Sequence, residues 1–251
     1  MIQPATPAAP PEETGDTTCL DTQDWAFVAQ RISVTRKTGT TVTRMLDQVS
    51  CRMARQSLIS VVGPTGSGKT TLLRVLVGLV RPEQGSVFVL GEPISGAPEK
   101  DRRRLRRTQI AYLSDRGLML PEIATMDNIV IPAALSGLPM AQARLRAAAL
   151  LERFRMDHLQ TRRPCQLSMG QRRLAGIVRT LISAAPLVVL DEPTSHLDRS
   201  RRQWVMEVLL EQRNLQGKTV VFTTHADDDI ACTDHVVGME DGCIVHENHR
   251  P

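Results

Sequence analysis

The tightest constraint on this chain is the stretch Gly63-Pro64-Thr65-Gly66-Ser67-Gly68-Lys69-Thr70, which satisfies the pattern G-x-x-x-x-G-K-[ST] at every position. A β-type apolar run (Leu58, Ile59, Val61, Val62) leads in, and a helical pattern (Leu72, Leu73, Leu76, Leu79, Val80) leads out. Strand, loop and helix are the setting in which this motif binds phosphate. An ordinary glycine-rich turn is the alternative, and it would not need the whole pattern in that setting.

The residue types follow from the chemistry. Gly63, Gly66 and Gly68 free the backbone to turn its N–H groups toward phosphate oxygens, and the helix that follows offers its positive end. With Pro64, Thr65, Ser67 and Thr71 they form the expected cradle for a nucleotide. Lys69 is expected to reach the β- and γ-phosphates, and the Thr70 hydroxyl to ligate Mg2+.

At 251 residues the chain can bury a large core as one composite α/β domain. The formal charge of +4, from 31 basic and 27 acidic residues, is too small to imply nucleic acid. No apolar run reaches the roughly 18–20 residues a membrane-spanning helix needs. Residues 1–23, rich in Pro and Thr, carry no secretory pattern and read as a disordered tail. The five cysteines are scattered with no C-x-x-C pair, which suggests a reducing compartment and no metal site.

Along the chain, 24–34 and 45–53 read as strands of a small antiparallel sheet, separated by a turn at 37–41 and joined later by a strand around Val87 and Val89. The block RRRLRR at 102–107 reads as a solvated helix face anchored by Leu105, since the chain has few aromatics to partner a base-reading surface. Residues 110–114 form a short strand. Residues 139–156 read as an amphipathic helix with Leu145, Ala149 and Phe154 on its apolar face. The segment HENH at 246–249 could suggest a metal site, but without a second ligand cluster it reads as a polar tail.

Two further strands carry chemistry to their ends. Leu187 to Leu190 is fully apolar, the mark of a strand buried on both faces, and delivers Asp191 and Glu192. Two carboxylates there are costly unless they act. Asp191 suits Mg2+ binding through hydroxyl or water, and Glu192 suits polarisation of a water attacking the γ-phosphate. A strand at 219–222 delivers His225, placed to contact the γ-phosphate or orient that water.

GPTGSGKT (63–70), LSMGQ (167–171), LVVLDEPTSHLD (187–198) and the histidine of TTH (223–225) together resemble the ATPase subunit of an ABC transporter over about residues 24–248. The resemblance implies a P-loop NTPase ABC-ATPase fold of the α/β class. It comprises a mixed or parallel core sheet, a small antiparallel β subdomain and a helical subdomain at about 115–180. It further implies that two such chains sandwich ATP and Mg2+ head to tail. Ser168, Gly170 and Gln171 of one chain then face the phosphate loop of the other.

Three positions depart from that pattern. Met169 replaces a signature glycine. Asp115, or Ser114 with a one-residue shift, stands where the family carries a glutamine, and Asp115 is the candidate for a further Mg2+ or water contact. The family's adenine-stacking aromatic is missing, leaving Arg36 as the candidate to stack on the base, a contact on the order of 0.5–2 kcal/mol.

The stretch from 107 through MDNIVIPAALSGLP is similar to the macrolide-export, lipoprotein-release and FtsE-like group. That likeness implies a separate transmembrane permease-type partner, a second ATPase subunit in a homodimer, and residence on the cytoplasmic face of the inner or plasma membrane. No nucleic-acid partner is expected. A degenerate ATP-binding scaffold and a soluble ABC ATPase acting on nucleic acid or ribosomes are the rival readings.

Overall fold

The computed structural model describes residues 24–115 and 119–249. The tail expected at 1–23 lies outside the described residues. The first elements are two long antiparallel strands, β1 (Trp25–Thr38) and β2 (Thr41–Ala54), which run to a tight turn at Gly39. They are longer than the residue types alone indicate, because exposed Arg36, Lys37, Thr43 and Arg44 still pair across the hairpin. β3 (Leu58–Val62) then enters the core and feeds α1 (Lys69–Leu76) through the glycine-rich loop.

α1 is shorter than its apolar pattern suggested. It stops at Gly78, which adopts φ 69°, and Leu79 beyond it is exposed. β4 (Gln84–Val89) and β5 (Glu92–Pro93) complete a four-stranded sheet in the order β2-β1-β4-β5.

α2 (Glu99–Thr108) corrects the reading of its arginine block as a solvated face. Leu105 is buried as expected, but so is Arg102. Arg102 and Arg106 both donate to the Gly78 carbonyl and both meet Glu99, so two cations sit at the negative end of α1. β6 (Ile110–Leu113) follows.

α3 (Thr125–Leu135), α4 (Met140–Arg153) and α5 (Met169–Leu181) pack against one another. The face assigned to α4 is corrected. Leu145 is 73% exposed, and the buried stripe is Ala143, Ala147 and Leu151, continued by Phe154. Small alanines at i and i+4 let the helix approach its neighbours closely, which a bulkier stripe through Leu145 would prevent.

β7 (Leu187–Leu190), α6 (Arg199–Asn214), β8 (Thr219–Thr224), α7 (Asp227–Ala231), β9 (His235–Glu240) and β10 (Cys243–His249) complete the chain. The segment expected as a polar tail is strand β10, paired antiparallel with β9. There the ring of His246 covers Gly238 so closely that a Cβ at that glycine would overlap it.

The central sheet runs β10-β9-β3-β8-β7-β6. β9, β3, β8, β7 and β6 are parallel to their neighbours, with β10 antiparallel at the edge. The inner strands β3, β7 and β8 are rich in apolar residues because their side chains alternate between two cores. Val188, Leu190, Val220 and Phe222 face the helices α3 to α6. Leu187, Val189, Val221 and Val61 face α1 and the antiparallel sheet. Each fully buried Val, Leu or Phe contributes about 1.5–3 kcal/mol of transfer free energy. Parallel pairing brings the carboxyl ends of β3, β6, β7 and β8 to one edge, where residues that follow them can meet.

Candidate functional site

The loop after β3 approaches other backbone too closely for side chains. Gly63 adopts φ 145°, and a Cβ on it would lie 2.0 Å from the Met239 carbonyl oxygen; one on Gly68 would lie 2.7 Å from that of Met45. Gly68 leads into α1 without any side-chain cap, so the first-turn N–H groups of the helix remain open to an anion. Lys69 is buried at the loop's centre, and its Nζ donates to the carbonyls of Gly63 and Pro64 at 2.8 Å each. Burial holds its pKa below the ordinary lysine value, opposed by the nearby carboxylates of Glu192 and Asp191. The cleft at the loop is lined by Met45, Thr65, Gly66, Lys69, Thr70, Thr71 and Glu192.

Asp191, at the end of β7, is fully buried. Its Oδ1 accepts from Thr70 Oγ1 at 3.1 Å and from Thr223 Oγ1 at 2.9 Å. Its Oδ2 has no partner among the described residues, and neither does the buried Ser67 hydroxyl in the loop. Burial pushes the Asp191 carboxyl above the usual carboxylate range, offset in part by the two threonine hydroxyls. A buried, orphaned carboxylate oxygen beside a threonine hydroxyl at the uncapped start of α1 fits a divalent cation with a phosphate chain. The residues present therefore fit Mg2+ and ATP.

Glu192 sits in a left-handed turn, φ 51°, and its amide donates to Thr223 Oγ1 at 2.7 Å. Its Oε1 lies 3.1 Å from Nε2 of His225, and both side chains are about 40% exposed. The pair opens onto a cleft of about 530 Å3 shared with Ser195, Arg202 and Thr224. Lys69, Thr70, Asp191, Glu192 and His225 thus meet at one sheet edge.

Of the other expected residues, Asp115 shares a cleft with Glu192 and Met169. Ser168 and Gln171 bond each other: Gln171 N donates to Ser168 Oγ at 3.2 Å and Ser168 N to Gln171 Oε1 at 2.8 Å, a capping box opening α5. Gly170 lies against His196, Leu197 and Arg201. Arg36 is exposed on β1 opposite Thr43. The Asp115 carboxylate lies 3.7 Å from Arg74 Nη2 on α1, both half-exposed.

Sequence reasoning missed the residues that hold this edge together. Asp229, buried in α7, accepts at Oδ2 from Thr194 Oγ1 at 2.7 Å and from Thr224 Oγ1 at 2.8 Å. It joins the loops that carry Glu192 and His225. Thr223 of β8 donates to the Asp191 carboxylate and accepts from the Glu192 amide, tying the residues just past β7 to β8. Buried Arg173 reaches the same edge from α5. Thr223 is a polar residue after the apolar run of β8 and Asp229 the last of an acidic run, signals that do not name their partners.

The family model described as "ABC transporter" matches residues 46–195. The lipoprotein-releasing system ATP-binding protein LolD of Xylella fastidiosa strain Temecula1 is 33% identical over 214 residues, 85% of this chain and 89% of that protein. LolD of Paramagnetospirillum magneticum is 36% identical over 75% of this chain and 83% of its own length. The macrolide export ATP-binding/permease protein MacB of Burkholderia pseudomallei is 35% identical over 82% of this chain but only 32% of MacB. Among solved structures, the ATP-binding cassette MJ0796 in a dimeric post-hydrolysis state with ADP and Pi superposes with a TM-score of 0.84 at 24% identity, over 90% of this chain and 99% of that one.

Proposed function

The chain belongs to the ABC transporter family, as one of its ATPases, and on that premise we propose that it is the ATP-hydrolysing motor subunit of a membrane complex. It works as an ATP-sandwich homodimer on a separate transmembrane partner, held at the cytoplasmic face of the membrane. Among the described residues no helix is long and apolar enough to cross a bilayer, so the spans fall to the partner. Likeness to LolD, and to the part of MacB that this chain matches, favours release or export with mechanical transmission.

One observation carries the hydrolytic reading: the orphaned Asp191 Oδ2 beside Thr70, with the Glu192–His225 pair on the same edge. The open amides of the loop and α1 bind the phosphates, and Lys69 leaves the Gly63 and Pro64 carbonyls for them. Thr70 Oγ1 and Asp191 would hold Mg2+, which when bound neutralises charge on the phosphates. Glu192 accepts the proton of the attacking water, and His225 orients Glu192 and that water. Ser168 and Gly170 of the second copy complete the cradle, with α5 presenting a helix N-terminus to the phosphate. Half-exposed Asp115 is the candidate for a further Mg2+ or water contact, and Arg36 the stacking candidate for the base.

Exposed Met169 and the Asp115–Arg74 pair favour one rival, an ATP-binding regulator without turnover. The deciding experiment tags the chain in its native cell, solubilises membranes with ATP present, identifies what copurifies and measures ATP turnover of the complex against Lys69→Ala. A permease-type partner and Lys69-dependent turnover are expected. Recovery without any membrane protein would overturn the motor reading, and a complex that binds ATP with no turnover would establish the regulator.

A further inference from the structure

Arg173 lies on α5, two residues after Gln171 of the Ser168–Gln171 motif, and is almost wholly buried. Its fork spans two strands. Nη1 donates to the carbonyl oxygens of Ser114, at 3.1 Å, and Asp115, at 2.9 Å, just past the end of β6. Nη2 donates to those of Asp191 and Glu192, just past the end of β7. Four main-chain carbonyls thus converge on one guanidinium, beside the carboxylates of Asp191, Glu192 and Asp115.

A buried cation is retained at such cost only where its hydrogen bonds are nearly complete. Here they fall on the two backbone turns that aim Glu192 and Asp115. The Glu192 turn needs such a hold, since φ 51° is a conformation a glutamate does not adopt without support. Lysine could not replace this arrangement, because one ammonium cannot present parallel donors to two pairs of carbonyls.

We infer that Arg173 is a positioning residue that ties the helix carrying Ser168 to the backbone of Glu192 and Asp115. Seating of α5 against a second subunit is thereby transmitted to the catalytic turn. The inference rests on the hydrolytic reading of the site and adds to it the link between subunit contact and turnover.

The test compares wild type, Arg173→Lys and Arg173→Met in the full chain, with its copurifying partner, by ATPase kinetics and by amide hydrogen exchange. Both variants should lower kcat at least tenfold with KM for ATP within about twofold. In both, exchange should rise together in residues 110–115 and 187–195 while the rest of the central sheet stays protected. A wild-type kcat in Arg173→Lys overturns the proposal, whether or not exchange changes, since Arg173 would then be a structural tie only. A kcat loss matched by an equal loss of folded protein, or a rise in KM with kcat unchanged, overturns it as well. Wild type is measured first. If it turns over no ATP the hydrolytic reading fails, and this proposal with it, whereas an active wild type with active variants sinks only the role of Arg173.

Discussion

Glu192 Oε1 and His225 Nε2 stand 3.1 Å apart although they come from different strands, β7 and β8. The parallel register makes this possible. Leu190 pairs with Phe222, so the residues leaving the two strands emerge side by side, and Thr223 receives the Glu192 amide. A carboxylate in direct contact with an imidazole is held in one orientation, which leaves its other oxygen to accept from a water.

Glu192→Gln removes the acceptor and keeps the shape. Turnover should fall by about 10²–10⁴-fold. ATP binding should persist, so that the variant accumulates as an ATP-bound dimer in size exclusion. His225→Ala should lower turnover in the same direction with Glu192 intact. Turnover at the wild-type rate in Glu192→Gln would remove the general-base assignment.

Asp191→Asn tests the cost of a buried charge. The carboxyl is pushed up by burial and keeps one oxygen without a partner among the described residues, so charge there destabilises the nucleotide-free fold. The amide oxygen can still accept from Thr70 and Thr223. Thermal melting of nucleotide-free Asp191→Asn should therefore match or exceed wild type. The stabilisation that wild type gains from ATP and Mg2+, on the order of 3–4 kcal/mol at 100 to 1,000 times Kd, should be lost. A variant that melts lower and still responds to Mg-ATP would reverse the assignment.

Asp229→Ala removes the carboxylate that accepts from both Thr194 and Thr224. Two buried hydroxyls lose their acceptor, at roughly 1–3 kcal/mol each. The loops of Glu192 and His225 would then separate, so kcat should fall more than KM rises, measured at a temperature where the variant remains folded. Thermal loss with unchanged kcat would make Asp229 a fold residue alone.

How much of this was legible depended on whether the signal was local. The phosphate loop, Asp191, Glu192 and His225 announce themselves in short runs, and the apolar strand ahead of each placed them at one edge. Elements without such a signature were harder. α3 carries Pro132 inside a helix, so its sequence gives no clear helical signal. The α4 stripe was misread because alanines bury as efficiently as leucines when helices pack closely, leaving Leu145 outside. Arg102 was read as solvated because its partner, the Gly78 carbonyl, is a helix end 24 residues away. Arg173, Thr223 and Asp229 act through contacts that only the sheet register creates.

Lys218 provides a pH test independent of catalysis. It lies buried just ahead of β8, with Nζ donating to Ser183 O at 2.8 Å and Gln212 Oε1 at 2.9 Å, and more distantly to Leu181 O. Burial, with the nearby Arg146 cation, pulls its pKa down from 10.5 to about 8. The groove beside it is lined by Arg146 from α4, Leu181 at the end of α5 and Glu211 from α6. Because the folded pKa is the lower one, the unfolded chain binds the proton more tightly between about 8 and 10.5, and stability contributed by this group rises with pH across that window. The penalty below pH 8 is on the order of 3 kcal/mol before partial solvation is allowed for. Lys69, also lowered by burial, acts in the same direction, so the readout is a difference. Chemical denaturation from pH 7 to pH 10 should show wild type gaining on Lys218→Met as pH rises. A constant difference between the two would mean that Lys218 stays charged in the fold, solvated by the carbonyls around it.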